Sequence, residues 1–165
     1  MLTLVLGGTA SGKSSVGERL VAAHGTDVVY VATGIATDDD MAARIASHKL
    51  RRPTTWTTVE TTDLPSAVRA LPSRPALIDS LGTWVAHTDD FAVDIDALVD
   101  ALAARTSATV VVSDEVGLGV HPETEVGRRF RDALGDVNRR VGDIAAEVLL
   151  VVAGRILRLP PRDAT

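Results

Sequence analysis

The sequence predicts an α/β fold in which a largely parallel sheet carries helices on both faces, and three observations lead there. Short, uniformly apolar runs recur along the chain, at Leu2–Leu6, Ala76–Asp79, Thr109–Ser113 and Val148–Ala153. Strands so apolar are buried on both faces, as in a parallel sheet. Segments with helical spacing alternate with them. Finally, Gly7-Gly8-Thr9-Ala10-Ser11-Gly12-Lys13-Ser14 reads G-x-x-x-x-G-K-S and lies between the first apolar run and the first helical segment.

Each element has a local reason. Leu2–Leu6 is a buried strand, and Lys13 begins a helix whose Val16, Leu20 and Val21 fall at helical spacing. Val28–Ala32 is a second β-rich run that closes a first β-α-β unit. Thr37 is placed to cap a helix from Asp38 to about Lys49, with Asp38, Asp39 and Asp40 in its dipole-favoured first turn. Arg51-Arg52-Pro53 ends it. Trp56–Glu60 reads as a short strand. Asp63 caps a short helix that takes Pro65 in its first turn and runs to about Leu71. Ala76–Asp79 is a strand, and Ile95–Ala104 a helix with Leu98 and Leu102 on one face. Thr109–Ser113 is again a strand. Pro122 opens a long Arg-rich helix that ends near Glu147. Val148–Ala153 follows as a strand, and Ile156–Leu159 finishes the sheet. No repeat, low-complexity segment or linker interrupts this order. One domain is expected over residues 1–160, with a disordered tail at 161–165.

Composition narrows the function class. The 165 residues carry a net charge of −5, which argues against a basic nucleic-acid surface. There is no cysteine, so disulfides and thiolate zinc sites are excluded. No apolar stretch reaches the about 20 residues of a membrane span. Met1 leads directly into a strand, and a cytoplasmic protein is expected. Of 17 basic residues only Lys13 and Lys49 are lysines, so a compact ammonium stands at the phosphate loop in an otherwise arginine-using chain.

The loop carries the chemistry. Gly7, Gly8 and Gly12 let successive backbone N–H groups turn inward around a polyphosphate, and the helix N-terminus adds its positive end. Lys13 is suited to the β- and γ-phosphates, and the Ser14 hydroxyl to Mg²⁺. Asp79, at the C-terminal end of a strand, is the second candidate for the metal or its waters. Glu115 also lies at a strand's C-terminal edge, where open α/β sheets bind ligands, although a turn residue is the plainer reading. Among the histidines, His24 ends the first helix, His87 lies in a polar stretch, and His121 precedes Pro122. His48 stands beside Lys49, Arg51 and Arg52. Those cations favour the neutral, nucleophilic imidazole, and a helix C-terminus favours imidazolium. From spacing alone a solvated surface histidine is the default, and a nucleophile the alternative.

Four segments together carry a resemblance: GGTASGKSSVGERL, YVATGIATDDDMAARIASHKLRRPTTW, LIDSLGTWV, and the stretch from Val112 to Gly154 that contains SDEVGLGVHPE and RRFRDALGDVNRR. From Leu4 to about Leu159 the chain resembles the bifunctional adenosylcobinamide kinase / adenosylcobinamide-phosphate guanylyltransferase family. The resemblance implies a phosphate-loop NTPase fold and two reactions. ATP or GTP phosphorylates the aminopropanol hydroxyl of adenosylcobinamide, and GTP then donates GMP to that phosphate through a guanylylated histidine. It implies nucleotide contacts at Gly7 to Ser14, at Val31, Ala32 and Thr33, at His48, Lys49, Leu50 and Arg51, and at Glu60 and Asp79. It further implies that His48 is the covalent nucleophile and that Ser14 and Asp79 hold Mg²⁺. A corrinoid substrate and a homotrimer follow from the same resemblance. Three departures stand out: one histidine where some relatives have two adjacent, Ala10 where Arg is frequent, and Asp114 where Asn is usual. A different small-molecule kinase would leave the His-Lys-Leu-Arg-Arg-Pro segment without a role. A GTP switch is disfavoured by a single Asn, Asn138, and the absence of Gln.

Overall fold

The computed structural model describes residues 1–34 and 52–161. The helix expected over residues 38–49 and the tail beyond residue 161 lie outside them. Seven strands form one sheet in the order β3-β2-β4-β5-β1-β6-β7. In chain order these are β1 (Leu2–Gly7), β2 (Val29–Ala32), β3 (Thr57–Glu60), β4 (Ala76–Asp79), β5 (Thr109–Asp114), β6 (Glu147–Val152) and β7 (Arg155–Leu159). Every pairing is parallel except β6 with β7, an antiparallel hairpin. The predicted largely parallel sheet is therefore present, with all seven strands close to their predicted bounds.

Helices cover both faces. Helix α1 (Lys13–Ala22) buries Val16, Gly17 and Val21 on one face, against Val5, Tyr30, Leu77, Val110, Val112, Leu149 and Val151. The other face carries α2 (Leu64–Ala70), α3 (Leu81–Ala86), α4 (Ile95–Ala103) and α5 (Glu125–Ile144). There Leu4, Leu6, Val31, Ile78 and Val111 meet Leu64, Leu81, Leu98, Leu102 and Leu134. Side chains of successive strand residues point to opposite faces, so Leu4 and Val5 serve different cores.

Capping explains the helix boundaries. Asp63 accepts from the Ser66 N–H and opens α2 with Pro65 in its first turn, as expected. Asp94 does the same for α4 through the Ala97 N–H. Helix α5 begins at Glu125, three residues later than expected, because Thr124 accepts from the Gly127 N–H and so makes the cap. The carbonyls of Pro122 and Glu123 are turned instead toward the Arg128 guanidinium. The same helix stops at Ile144, leaving Glu147 to begin β6. Helix α3 and a one-turn 3₁₀ segment at Asp89–Phe91 were not expected from the sequence.

Candidate active site

A parallel sheet brings the C-terminal ends of its strands to one edge, and the candidate residues gather there. Gly7 of β1 lies beside Asp114 of β5, and Ala32 of β2 lies between Asp79 of β4 and Glu60 of β3. The glycine-rich loop crosses this edge between β1 and α1. Within it the Ser11 N–H donates to the Gly8 carbonyl (3.2 Å), and the Val16 N–H donates to that of Gly12 (3.0 Å). Gly12 sits at φ 93°, where a Cβ is strained, while Ala10 accepts a left-handed φ of 58°. The turn of the β6–β7 hairpin props the loop, its Gly154 N–H donating to the Ser11 carbonyl (2.8 Å). Thr9 and Ala10 are exposed.

Two charged groups are already oriented. The Lys13 ammonium pairs with Asp114 Oδ1 at 2.7 Å and donates to the Gly8 carbonyl at 3.3 Å. Ser14 Oγ donates to Asp79 Oδ1 (3.3 Å), and the Tyr30 hydroxyl donates to Asp79 Oδ2 (2.8 Å). The Arg52 guanidinium stacks 3.2 Å over the centre of the Tyr30 ring. Burial first, and then the neighbouring Asp79 carboxylate, hold the Tyr30 phenol well above its ordinary pKa. Ser14 and Asp79 supply a hydroxyl and a carboxylate oxygen, the hard donors that Mg²⁺ takes. Among the described residues no three His, Cys, Asp or Glu side chains form a metal cluster.

The predicted contacts differ in what they offer. Val31 is wholly buried in the helix-rich core, and Ala32 is half-buried at the end of β2. Thr33 is buried as well. Its hydroxyl lies 2.6 Å from both the Ser80 carbonyl and Thr83 Oγ1, and accepts from the Ser80 N–H (3.1 Å). This network ties the end of β2 to the start of α3, where Ser80 and Thr83 form a reciprocal capping box. Glu60 is exposed at the end of β3. His48, Lys49, Leu50 and Arg51 lie outside the described residues.

The other candidates resolve as follows. His24 follows α1, and its backbone N–H donates to the Val21 carbonyl. His87 is the C-cap of α3, and His121 Nδ1 lies 2.8 Å from the Arg131 guanidinium. The Glu115 carboxylate accepts from the Gly117 N–H (2.6 Å) and closes a turn. The acid that reaches Lys13 is its neighbour Asp114, because β5 runs one residue further than the apolar run suggested. Tyr30, which buttresses Asp79, went unremarked in the sequence because an aromatic within a strand reads as core.

The comparisons bear on the whole chain. A family model described as cobinamide kinase / cobinamide phosphate guanyltransferase matches residues 3–159. The bifunctional adenosylcobalamin biosynthesis protein CobP of Pseudomonas aeruginosa is 37% identical over 163 residues, covering 93% of this chain and 94% of its own. The bifunctional adenosylcobalamin biosynthesis protein CobU of Escherichia coli K12 is 35% identical over 176 residues, covering 93% and 97%. Among solved structures, flagellar accessory protein FlaH from Methanocaldococcus jannaschii has a TM-score of 0.50 at 14% identity, over 98% of this chain and 78% of its own. That last likeness concerns the fold alone. The family model runs from the first strand to the last and each relative covers 93% of the chain, so the chain belongs to the cobinamide kinase / cobinamide phosphate guanyltransferase family.

Proposed function

We propose that this chain phosphorylates adenosylcobinamide with ATP or GTP and then transfers GMP from GTP to adenosylcobinamide phosphate through a guanylylated His48. The observation that carries the reading is the convergence of Lys13, Ser14 and Asp79 on one sheet edge of a chain that belongs to this family. Residues 1–160 act as one catalytic domain, which works as a homotrimer in the cytoplasm. Among the described residues no helix is long and apolar enough to cross a membrane.

The residues divide the work. Gly7 to Ser14 cradle the triphosphate, and Lys13 neutralises charge that builds on the transferring phosphoryl group. Ser14 and Asp79 would hold Mg²⁺, which would offset charge on the phosphates. Ala32, His48 to Arg51 and Glu60 contact the nucleotide, and the buried Val31 and Thr33 hold that strand end in place. In the kinase step the corrinoid's hydroxyl oxygen attacks the γ-phosphorus, the bond to the β-phosphate oxygen breaks, and the nucleoside diphosphate leaves. In the second reaction a neutral His48 nitrogen attacks the α-phosphorus of GTP and pyrophosphate leaves. The corrinoid phosphate then attacks the same phosphorus, the P–N bond breaks, and the imidazole is restored.

Mass spectrometry after incubation with Mg·GTP tests the reading. A GMP adduct on His48, labile to acid and stable to base, is expected from α-labelled GTP, and γ-labelled GTP leaves no label there. His48→Ala loses the adduct and guanylyl transfer but keeps phosphorylation of adenosylcobinamide. Label on Ser47 or on another histidine, or no adduct despite tight GTP binding, overturns the mechanism.

A further inference from the structure

The loop's ammonium is already engaged. Lys13 lies against Asp114 at 2.7 Å, and the two side chains are only 13% and 28% exposed, so solvent screens the pair weakly. Asp114 has little freedom to withdraw. It ends β5 in register with Gly7, and its carbonyl accepts from the Asn138 amide (3.0 Å). Its carboxylate packs on Gly82 at the start of α3, where a Cβ would overlap it. A triphosphate that claims Lys13 must take it from this carboxylate and then lie beside it.

We infer that Asp114 is a specificity-determining residue that makes tight nucleotide binding conditional on magnesium. This inference rests on the proposed role of the loop as the triphosphate site. A metal-free triphosphate brings several negative charges to an edge already holding Asp114 and Asp79. One uncompensated like charge at about 5 Å, at an effective dielectric of about 20, is worth on the order of a hundredfold in affinity. A triphosphate that arrives with its cation carries less of that repulsion. Asp114 therefore selects the metal-loaded nucleotide, and in the empty loop it keeps Lys13 aimed at the edge by an ion pair that is exchanged on binding.

The test is calorimetric titration of the full chain with GTP, once in excess Mg²⁺ and once in EDTA. Wild type is compared with Asp114→Asn, which keeps the side chain's volume, and with Asp114→Ser, which removes its reach. Both variants should bind metal-free GTP about tenfold or more tightly than wild type, yet bind Mg·GTP within about threefold of it. The ratio of the two affinities then collapses, an effect that a merely structural residue does not produce. If both affinities move together in either direction, or neither moves, Asp114 is no selector and the inference fails. If wild type binds GTP under neither condition, the phosphate-loop reading itself has failed.

Discussion

The two faces of the sheet are built differently. The helix-rich face is a mixed core, in which eight leucines, Leu4, Leu64, Leu81, Leu98, Leu102 and Leu134 among them, are buried beside seven valines. The face under the phosphate-loop helix is a valine core, with Val5, Val16, Val21, Val110, Val112 and Val151 around Leu77, Tyr30 and Leu149. Leucine supplies buried apolar volume, whereas valine, stiff at χ1, supplies a surface of fixed shape. Helix α1 lies on that surface so closely that a Cβ on Gly17 would come 2.8 Å from Val112 Cγ2 and 3.1 Å from Leu77 Cδ1. The comparison suggests a division in which one face holds the fold together and the other sets where Lys13 and Ser14 stand.

Substitutions can break that division, and the largest expected effect is at the loop itself. Lys13→Ala should lower both activities by about 10²–10³-fold or more, because it removes a charge aimed at phosphate. It touches neither core, so the melting temperature should fall only by the smaller cost of leaving the Asp114 carboxylate unpaired. Near-normal turnover by the folded variant would remove the loop from the mechanism. Next comes Leu134→Ala on the helix-rich face, expected to cost about 2–5 kcal/mol in urea unfolding while turnover per folded molecule stays within about twofold. A large change in KM for nucleotide there would blur the division between faces. Gly17→Ala should show the opposite balance. Overpacking of about 1–3 kcal/mol is partly offset by about 1 kcal/mol of helix propensity, yet the displaced α1 should raise the KM for GTP severalfold. Unaltered kinetics would show that the valine face does not position the loop. The smallest effect is expected for Tyr30→Phe, which removes the bond to Asp79 at about 1–2 kcal/mol and raises the magnesium concentration needed for half-maximal rate.

The tyrosine also predicts a pH dependence. Its pKa is raised in the folded protein, so the native state keeps the proton that the unfolded chain releases near pH ~10. The associated stability is complete below that pH and is lost as the pH climbs beyond it. Denaturant midpoints measured on the alkaline side should fall more steeply for wild type than for Tyr30→Phe. Parallel curves would show that the phenol's setting contributes nothing.

Much of the fold was legible because its signals are local. Each uniformly apolar run became a strand, and the G-x-x-x-x-G-K-S spacing placed the loop between β1 and α1. What escaped depends on contacts distant in sequence. Asp114 meets Lys13 only because β5 lies against β1 in the sheet, a strand order that no local pattern states. Helix α3 is six residues long, and its capping box uses Thr83 where Glu or Gln is the usual mark. For Thr33 the family resemblance implies a nucleotide contact, and the structure adds that its hydroxyl is engaged with Ser80 and Thr83. The start of α5 differs from the sequence expectation because Pro122 is a helix-opening residue in general, but Thr124 owns the cap here.

Tyr30 has a consequence for measurement as well. It is the chain's one tyrosine, and it is held between the Asp79 carboxylate and the Arg52 guanidinium. A buried phenol in a fixed orientation gives a near-ultraviolet circular dichroism band, which overlaps those of Trp56 and Trp84 and is isolated as the difference from Tyr30→Phe. The carboxylate assigned to the metal thus carries its own chromophore. Whatever draws Asp79 away from the hydroxyl, or lifts Arg52 from the ring, should alter that band, so loading of the site can be followed in unlabelled protein without turnover.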